Sequence, residues 1–294
     1  MVRSTTRLLG TVALCLAATG CAYSGATPKP EKPTTAAANV EPTLRQAALL
    51  AERNGSYGEA AQHYGALRSR HPDDKAITLA LARNLRFAGS PQQAIAVLNG
   101  SKATQAGDAM TLLELGKDYL AADQLNLAKP TLERAKQSAP LNWEILSALG
   151  VVYDYEGQYD KAQEQYEAAL FIDPENATVL NNKALSLAQE GQLDEALKVM
   201  QLATDQPEAS AQTRQNLALL MALKGDADTA ERLARKDLPS SVADANIAYY
   251  RSLATPAPTT APATEPTPAA RSVPKPAADP ADVPSIPAPP PPLE

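Results

Sequence analysis

The chain has 294 residues with 27 basic against 33 acidic side chains, a net charge of −6, and no basic block interleaved with aromatics, which excludes nucleic acid as a partner class. Two cysteines and two histidines are too few for a disulfide framework or a His/Cys metal centre. Of the 25 prolines, 14 lie after residue 254, so the last 40 residues differ in kind from what precedes them.

Residues 1–20 read as a targeting segment. Arg3 and Arg7 precede an apolar run from Leu8 to Ala18 that is too short to span a bilayer as a mature helix. The run closes on Ala18-Thr19-Gly20-Cys21, which resembles a bacterial lipobox, with Ala18 where Leu is commoner. On that reading Cys21 is the lipid attachment site; the alternative is an ordinary secretory signal with a chance cysteine. Cys15 falls in the discarded segment, so the lipidated chain keeps no free thiol and carries a net charge of −8. Each buried methylene of an attached acyl chain adds about 0.8 kcal/mol of membrane affinity. Residue 22 is Ala and not Asp, which by analogy with enterobacterial sorting predicts the outer membrane, with the folded part facing the periplasm. Residues 21–40, rich in Ala, Thr, Pro and Lys, are expected to be a flexible tether.

A period of 34 residues then takes over. Ala60, Ala94, Ala128, Ala162, Ala196 and Ala230 keep it without a slip, and 34 residues is one tetratricopeptide helix–turn–helix unit. Placing those alanines at position 20 of each unit puts Gly55, Gly89, Asp123, Gly157, Gly191 and Gly225 at position 15, where a residue of positive φ ends the first helix. Position 8 holds only Ala or Gly, as two closely approaching helices require. Position 24 carries large apolar groups that fade at the last unit, and Pro72, Pro140, Pro174 and Pro207 stop second helices. The fourth unit fits the tetratricopeptide pattern best, with Leu149-Gly150, Tyr153, Gly157, Tyr159, Ala162, Tyr166, Ala169 and Pro174 on the expected places. The predicted fold is all-α: a tetratricopeptide superhelical solenoid of about six repeats over 41–239. A capping helix follows over 240–254, whose Val242, Ala245, Ile247 and Tyr250 recur at helical spacing. Residues 255–294 cannot bury enough apolar surface to offset their ordering entropy, and are expected to be an extended tail, a spacer or a proline-rich docking motif.

Chemistry finds no foothold. There is no phosphate loop, no G-x-S-x-G elbow, and His63 and His71 lack partners at ligand spacing; no catalytic residue, cofactor or metal is expected. The acidic cluster Asp154, Glu156, Asp160, Glu164 and Glu167 falls on turn and outer-face positions and reads as a solvated surface. Binding is the expected work. First helices line the concave face of tetratricopeptide arrays, and there Asn181, Asn182, Gln215 and Asn216 occupy positions 5 and 6 of units five and six. Stacked amides suit an extended peptide because each offers a donor and an acceptor to backbone groups; alternatively they solvate a helix face. Unit two contributes Arg83 and Arg86, beside Phe87, to grip a carboxylate and an apolar side chain, unless Arg86 snorkels over the seam and Phe87 is core. Unit four adds Asp154 and Tyr155.

The end of the repeats narrows the field. Asn216-Leu217-Ala218-Leu219, Lys224-Gly225-Asp226, the run Ala230 to Leu238, and Asn246-Ile247-Ala248-Tyr249-Tyr250-Arg251-Ser252-Leu253 resemble the C-terminal block of the TadD family, the lipoproteins of tight-adherence (Tad/Flp) pilus systems. The resemblance covers roughly residues 41–254 and includes the lipobox; the proline-rich tail departs from it. It implies a non-enzymatic, pilotin-like outer-membrane lipoprotein that escorts or stabilises the pilus secretin through its groove. The alternative is a general periplasmic scaffold that recruits peptidoglycan enzymes or proteases, or assists outer-membrane protein assembly.

Overall fold

A computed structural model describes the backbone of residues 35–254 and the side chains of residues 40–251. The signal segment, Cys21 and the proline-rich tail lie outside the described residues. The chain divides into two compact units, residues 1–40 and 41–294; apart from the first residues of α1, which begins at Thr35 within the segment expected to be a tether, everything below concerns the second.

Fourteen helices and no strand occur among the described residues. They pair as α1 (Thr35–Arg53) with α2 (Tyr57–Arg70), α3 (Lys75–Phe87) with α4 (Pro91–Asn99), and α6 (Ala109–Ala121) with α7 (Leu125–Ser138). Next come α8 (Trp143–Tyr155) with α9 (Tyr159–Ile172), α10 (Ala177–Glu190) with α11 (Leu193–Asp205), and α12 (Ala211–Lys224) with α13 (Ala227–Asp237). A one-turn helix, α5 (Lys102–Gln105), follows α4, and α14 (Ser240–Ala254) closes the series.

Local chemistry sets these boundaries. Each first helix from α3 to α12 starts one residue after a capping side chain: Asp74, Asp108, Asn142, Asn176 and Ser210. Each of these oxygens accepts from the backbone N–H three residues on, at 3.0–3.1 Å. Such caps contribute about 1 kcal/mol apiece. At position 15 every residue has positive φ, from +59° at Asp123 to +97° at Gly225. Asp123 is the one non-glycine to do so among the described residues, which its short polar side chain tolerates. Helices α2, α7, α9 and α11 end two residues before Pro72, Pro140, Pro174 and Pro207. Unit two has no such proline, and there the second helix stops early at Gly100, after which Ser101 caps α5.

Packing follows the same register. All six position-20 alanines are fully buried. At position 8 the close approach is real: a Cβ on Gly116 would lie 2.5 Å from the Leu132 side chain, and one on Gly150 would lie 2.5 Å from the Tyr166 ring. From α3 to α12 each first helix packs on its own partner and on the preceding second helix, and successive first helices in that series touch one another. That pattern sets the first helices on the inside of the curve and the second helices outside.

The capping helix differs in detail from expectation. Ala243, Asn246, Ile247 and Tyr250 face α12 and α13, whereas Val242, expected in the seam, is 46% exposed. The buried stripe is offset because α14 packs across the last pair as a lid and does not continue the 34-residue register.

Candidate functional site: the polar interior of the first helices

The first helices carry an unusual load of polar groups for a buried layer. Three of the five repeat junctions are closed by the same device, in which position 12 of one unit meets position 10 of the next. At the first junction Asn84 donates to the Glu52 carboxylate at 2.6 Å, and the Tyr64 hydroxyl donates to its other oxygen at 3.3 Å. At the fourth, Tyr166 and Ser186 each donate to Asp154 at 2.6 Å. At the second, Arg86 donates to Asp118 at 2.7 Å. The remaining two junctions place Leu120 with Val152 and Ala188 with Leu220 at these positions.

Around Arg86 a charged cluster fills the interior. The guanidinium also donates to Glu114 at 3.0 Å, and Arg83 reaches the other Glu114 oxygen at 3.0 Å. Lys117 lies 3.7 Å from Glu114 and donates to Glu144 at 3.1 Å. Burial alone would raise the Glu114 pKa, but Lys117, Arg86 and Arg83 together outweigh it and hold the carboxyl down at about 2. Asp154 has no cation beside it. Burial pushes its pKa up to about 6, and the hydrogen bonds from Ser186 and Tyr166 only partly offset that.

A row of amides crosses the last three first helices. Gln212 donates to Asn216 at 3.0 Å, Asn216 to Asn181 at 2.8 Å, Asn181 to Asn182 at 3.2 Å, and Asn182 to Ser147 at 3.3 Å. The row thus runs without a break from α12 through α10 to α8. Gln215 stands apart from it, donating to the Leu233 carbonyl at 3.3 Å, while the Tyr250 hydroxyl of α14 reaches the Gln215 carbonyl at 3.5 Å.

These placements revise the expected use of six residues. Asn181, Asn182, Gln215 and Asn216, expected on the open face of the groove, are 0–3% exposed, because positions 5 and 6 turn toward the neighbouring first helix and their amides bond there or to the backbone. Two charged residues are withdrawn in the same way. Arg86, expected to grip a ligand carboxylate or snorkel over the seam, is 4% exposed, and its charge is taken up by Glu114 and Asp118. Asp154, grouped by sequence with a solvated acidic cluster and with the groove, is 4% exposed and ties α8 to α9 and α10. The physical reason is common to both: positions 10 and 12 face the neighbouring repeat. Phe87 is half-buried against the Tyr57 ring, with centroids 4.9 Å apart. Tyr155 is half-buried beside Asp154, and the Arg83 side chain is 44% exposed. Sequence reasoning missed Glu52, Asn84, Glu114, Lys117 and Asp118. For Glu52, Asn84 and Asp118 the signal was an acid or base at position 12 with a polar residue at position 10 of the next unit; Glu114 and Lys117, at positions 6 and 9 of unit three, carried no such signal.

Two sequence models described as tetratricopeptide repeat match the chain, over residues 51–114 and 147–211. The solenoid is a tetratricopeptide-repeat fold. Among solved structures, TTC0263, a thermophilic TPR protein of Thermus thermophilus, is 21% identical, covering 62% of this chain and 98% of that one, with a TM-score of 0.56. The Cut9–Hcn1 hetero-tetramer of the APC/C gives 16% identity over 71% of this chain and 42% of that one, with a TM-score of 0.58. No curated protein matches this chain in sequence. At these identities the likeness to solved structures concerns the fold alone; it is the tetratricopeptide repeats matched in sequence that mark a protein–protein interaction scaffold.

Proposed function

We propose that the protein is an outer-membrane-anchored tetratricopeptide lipoprotein of Tad/Flp pilus assembly that holds an extended segment of the pilus secretin along the inner face of its first helices. The observation that carries this reading is the unbroken amide row from Gln212 to Ser147, set on three successive first helices. The amides Asn181, Asn182 and Asn216 are 0–3% exposed and already bonded within the row, so a peptide pairs with them only by displacing those bonds, an exchange that the two donors and two acceptor sites of each Asn permit. Arg83, in unit two, pairs with Glu114 and keeps its side chain 44% exposed, adding a cation to the first helices, and half-buried Tyr155 adds an aromatic ring in unit four. The pilus assignment rests on the resemblance of residues 216–253 to the TadD terminal block, and the anchor rests on the lipobox ending in Cys21. Anchoring partner and scaffold to one membrane raises their effective concentration, so modest intrinsic affinity suffices.

Three measurements test it. Radiolabelled palmitate should enter the wild-type protein and not Cys21→Ala, and membrane fractionation should place the label in the outer membrane. Deleting the protein should remove multimeric secretin while general envelope integrity is kept. In a titration with secretin peptides, the Asn182→Ala, Asn216→Ala pair should bind at least about tenfold more weakly, about 1.4 kcal/mol, with helicity intact. Unchanged affinity discards the amide row as the binding element, and peptidoglycan enzymes in place of secretin after mild detergent extraction overturn the pilus assignment.

A further inference from the structure

We propose that the N-terminal end of the solenoid is a self-association surface, through which two copies of the chain pair head to head along α1. The repeat geometry defines what that end lacks. At position 10 of units two to six, Asn84, Asp118, Val152, Ser186 and Leu220 are each 0% exposed, because the first helix of the preceding unit covers them. Leu50 holds the same position in unit one, which no repeat precedes among the described residues, and is 57% exposed. Its neighbour Leu49, at position 9, is 49% exposed, whereas Lys117, Val151, Leu185 and Leu219, at that position in units three to six, are all buried. The face of α1 is therefore the continuation of an interface that the molecule builds five times internally.

The other end cannot supply the missing half. Among the described side chains of α14, residues 240–251, the apolar side turns inward, and the outer side presents Ser241, Asp244, Ala248 and Arg251, with Val242 the single exposed large apolar group there. Asp244 and Arg251 are held there by ion pairs to Arg235 and Glu231. Head-to-tail stacking would set two leucines against those charges. Head-to-head pairing sets leucine against leucine in a closed two-fold contact, in which the same patch serves both copies. Electrostatics favour the same choice. The chain as a whole carries −6, but on this stretch of α1 Glu41 is paired with Arg45 and Arg53 adds a cation, while Glu52 faces α3, so the patch lacks the net negative charge that would hold two copies apart. Half-buried Ala47, three residues before Leu50, leaves room for two helix axes to approach to roughly 8–10 Å.

The test places a photo-crosslinking amino acid at Leu50 of the full chain, in cells that also produce a second, differently tagged copy. Irradiation should yield a species of twice the monomer mass that carries both tags, and the same group at Val242 should not. Mapping the product should find α1 of the second copy. In parallel, Leu49→Arg with Leu50→Arg should weaken the dimer at least about tenfold in sedimentation experiments on the detergent-solubilised protein, about 1.4 kcal/mol. Circular dichroism and the unfolding midpoint should stay near wild type, separating lost association from lost folding. A crosslink from Leu50 to α14, a crosslink to a different protein, or a wild-type chain that sediments as a monomer at micromolar concentration would each overturn the proposal.

Discussion

Two buried carboxylates in neighbouring repeats live in opposite chemistry. Glu114 in unit three sits among Arg83, Arg86 and Lys117 and stays ionised down to a pH of about 2. Asp154 in unit four sits between two hydroxyls and takes up its proton at about pH 6. Both are nearly inaccessible to water, so burial does not distinguish them. The presence of a compensating cation does. The comparison teaches that a solenoid can tune one junction for charge and the next for neutrality without changing its backbone, because each repeat contacts only its neighbours.

The first way to break the comparison is to remove the cation. Arg86→Leu leaves Glu114 and Asp118 buried with part of their compensation gone, and should cost about 3–5 kcal/mol in urea unfolding at neutral pH. A loss under about 1 kcal/mol would mean that Arg83 and Lys117 suffice.

The second sharpens it through pH. The folded Asp154 pKa lies above its unfolded value, so the folded state binds the extra proton between about pH 4 and pH 6. Stability from this group is fully present below the unfolded pKa and is lost as pH rises through the folded one, by about 3 kcal/mol for a shift of this size. Asp154→Asn can keep partners in Tyr166 and Ser186 and should flatten that slope, gaining stability at pH 7.5 relative to pH 4.5. The sign at Glu114 is opposite: its contribution is present above the ordinary carboxylate range and fails as pH falls towards 2.

Smaller effects probe the frame around each acid. Gly150→Ala drives a methyl group into the fully buried Tyr166 ring, whose hydroxyl holds Asp154, and should cost about 1–3 kcal/mol by thermal unfolding. The least expected is Asn142→Ala at the head of α8. It removes two cap bonds, to Glu144 and Ile145, and should cost about 1 kcal/mol, leaving both carboxylates as they were.

Much of this architecture was legible along the chain. The 34-residue alanine period, the glycines of positive φ and the prolines two residues past four second helices are local signals, and local backbone preferences express themselves wherever the chain goes. The early stop at Gly100 and the caps at position 34 were equally local, but the period obscured them. The candidate site was half legible. Asn181, Asn182, Gln215 and Asn216 could be placed on first helices from their positions, yet nothing in the linear pattern says that Gln215 leaves the row or that Asn182 reaches back to Ser147 in the preceding unit. Arg86 and Asp154 looked like groove or surface groups because isolated charges usually are.

What the residues alone determined is the repeat itself: its length, its turns and the small residues at its close contacts, each set by sterics within a few positions of the chain. What only the tertiary structure decided is which polar side chains meet across a junction, and therefore which carboxylate is a salt-bridge centre and which a proton acceptor. Those outcomes depend on contacts some 28 to 35 residues apart in sequence, as from Arg86 to Glu114 or from Asn216 to Asn181, and on the loss of water between them. Hydration and distance are properties of the packed array, and no single repeat possesses them.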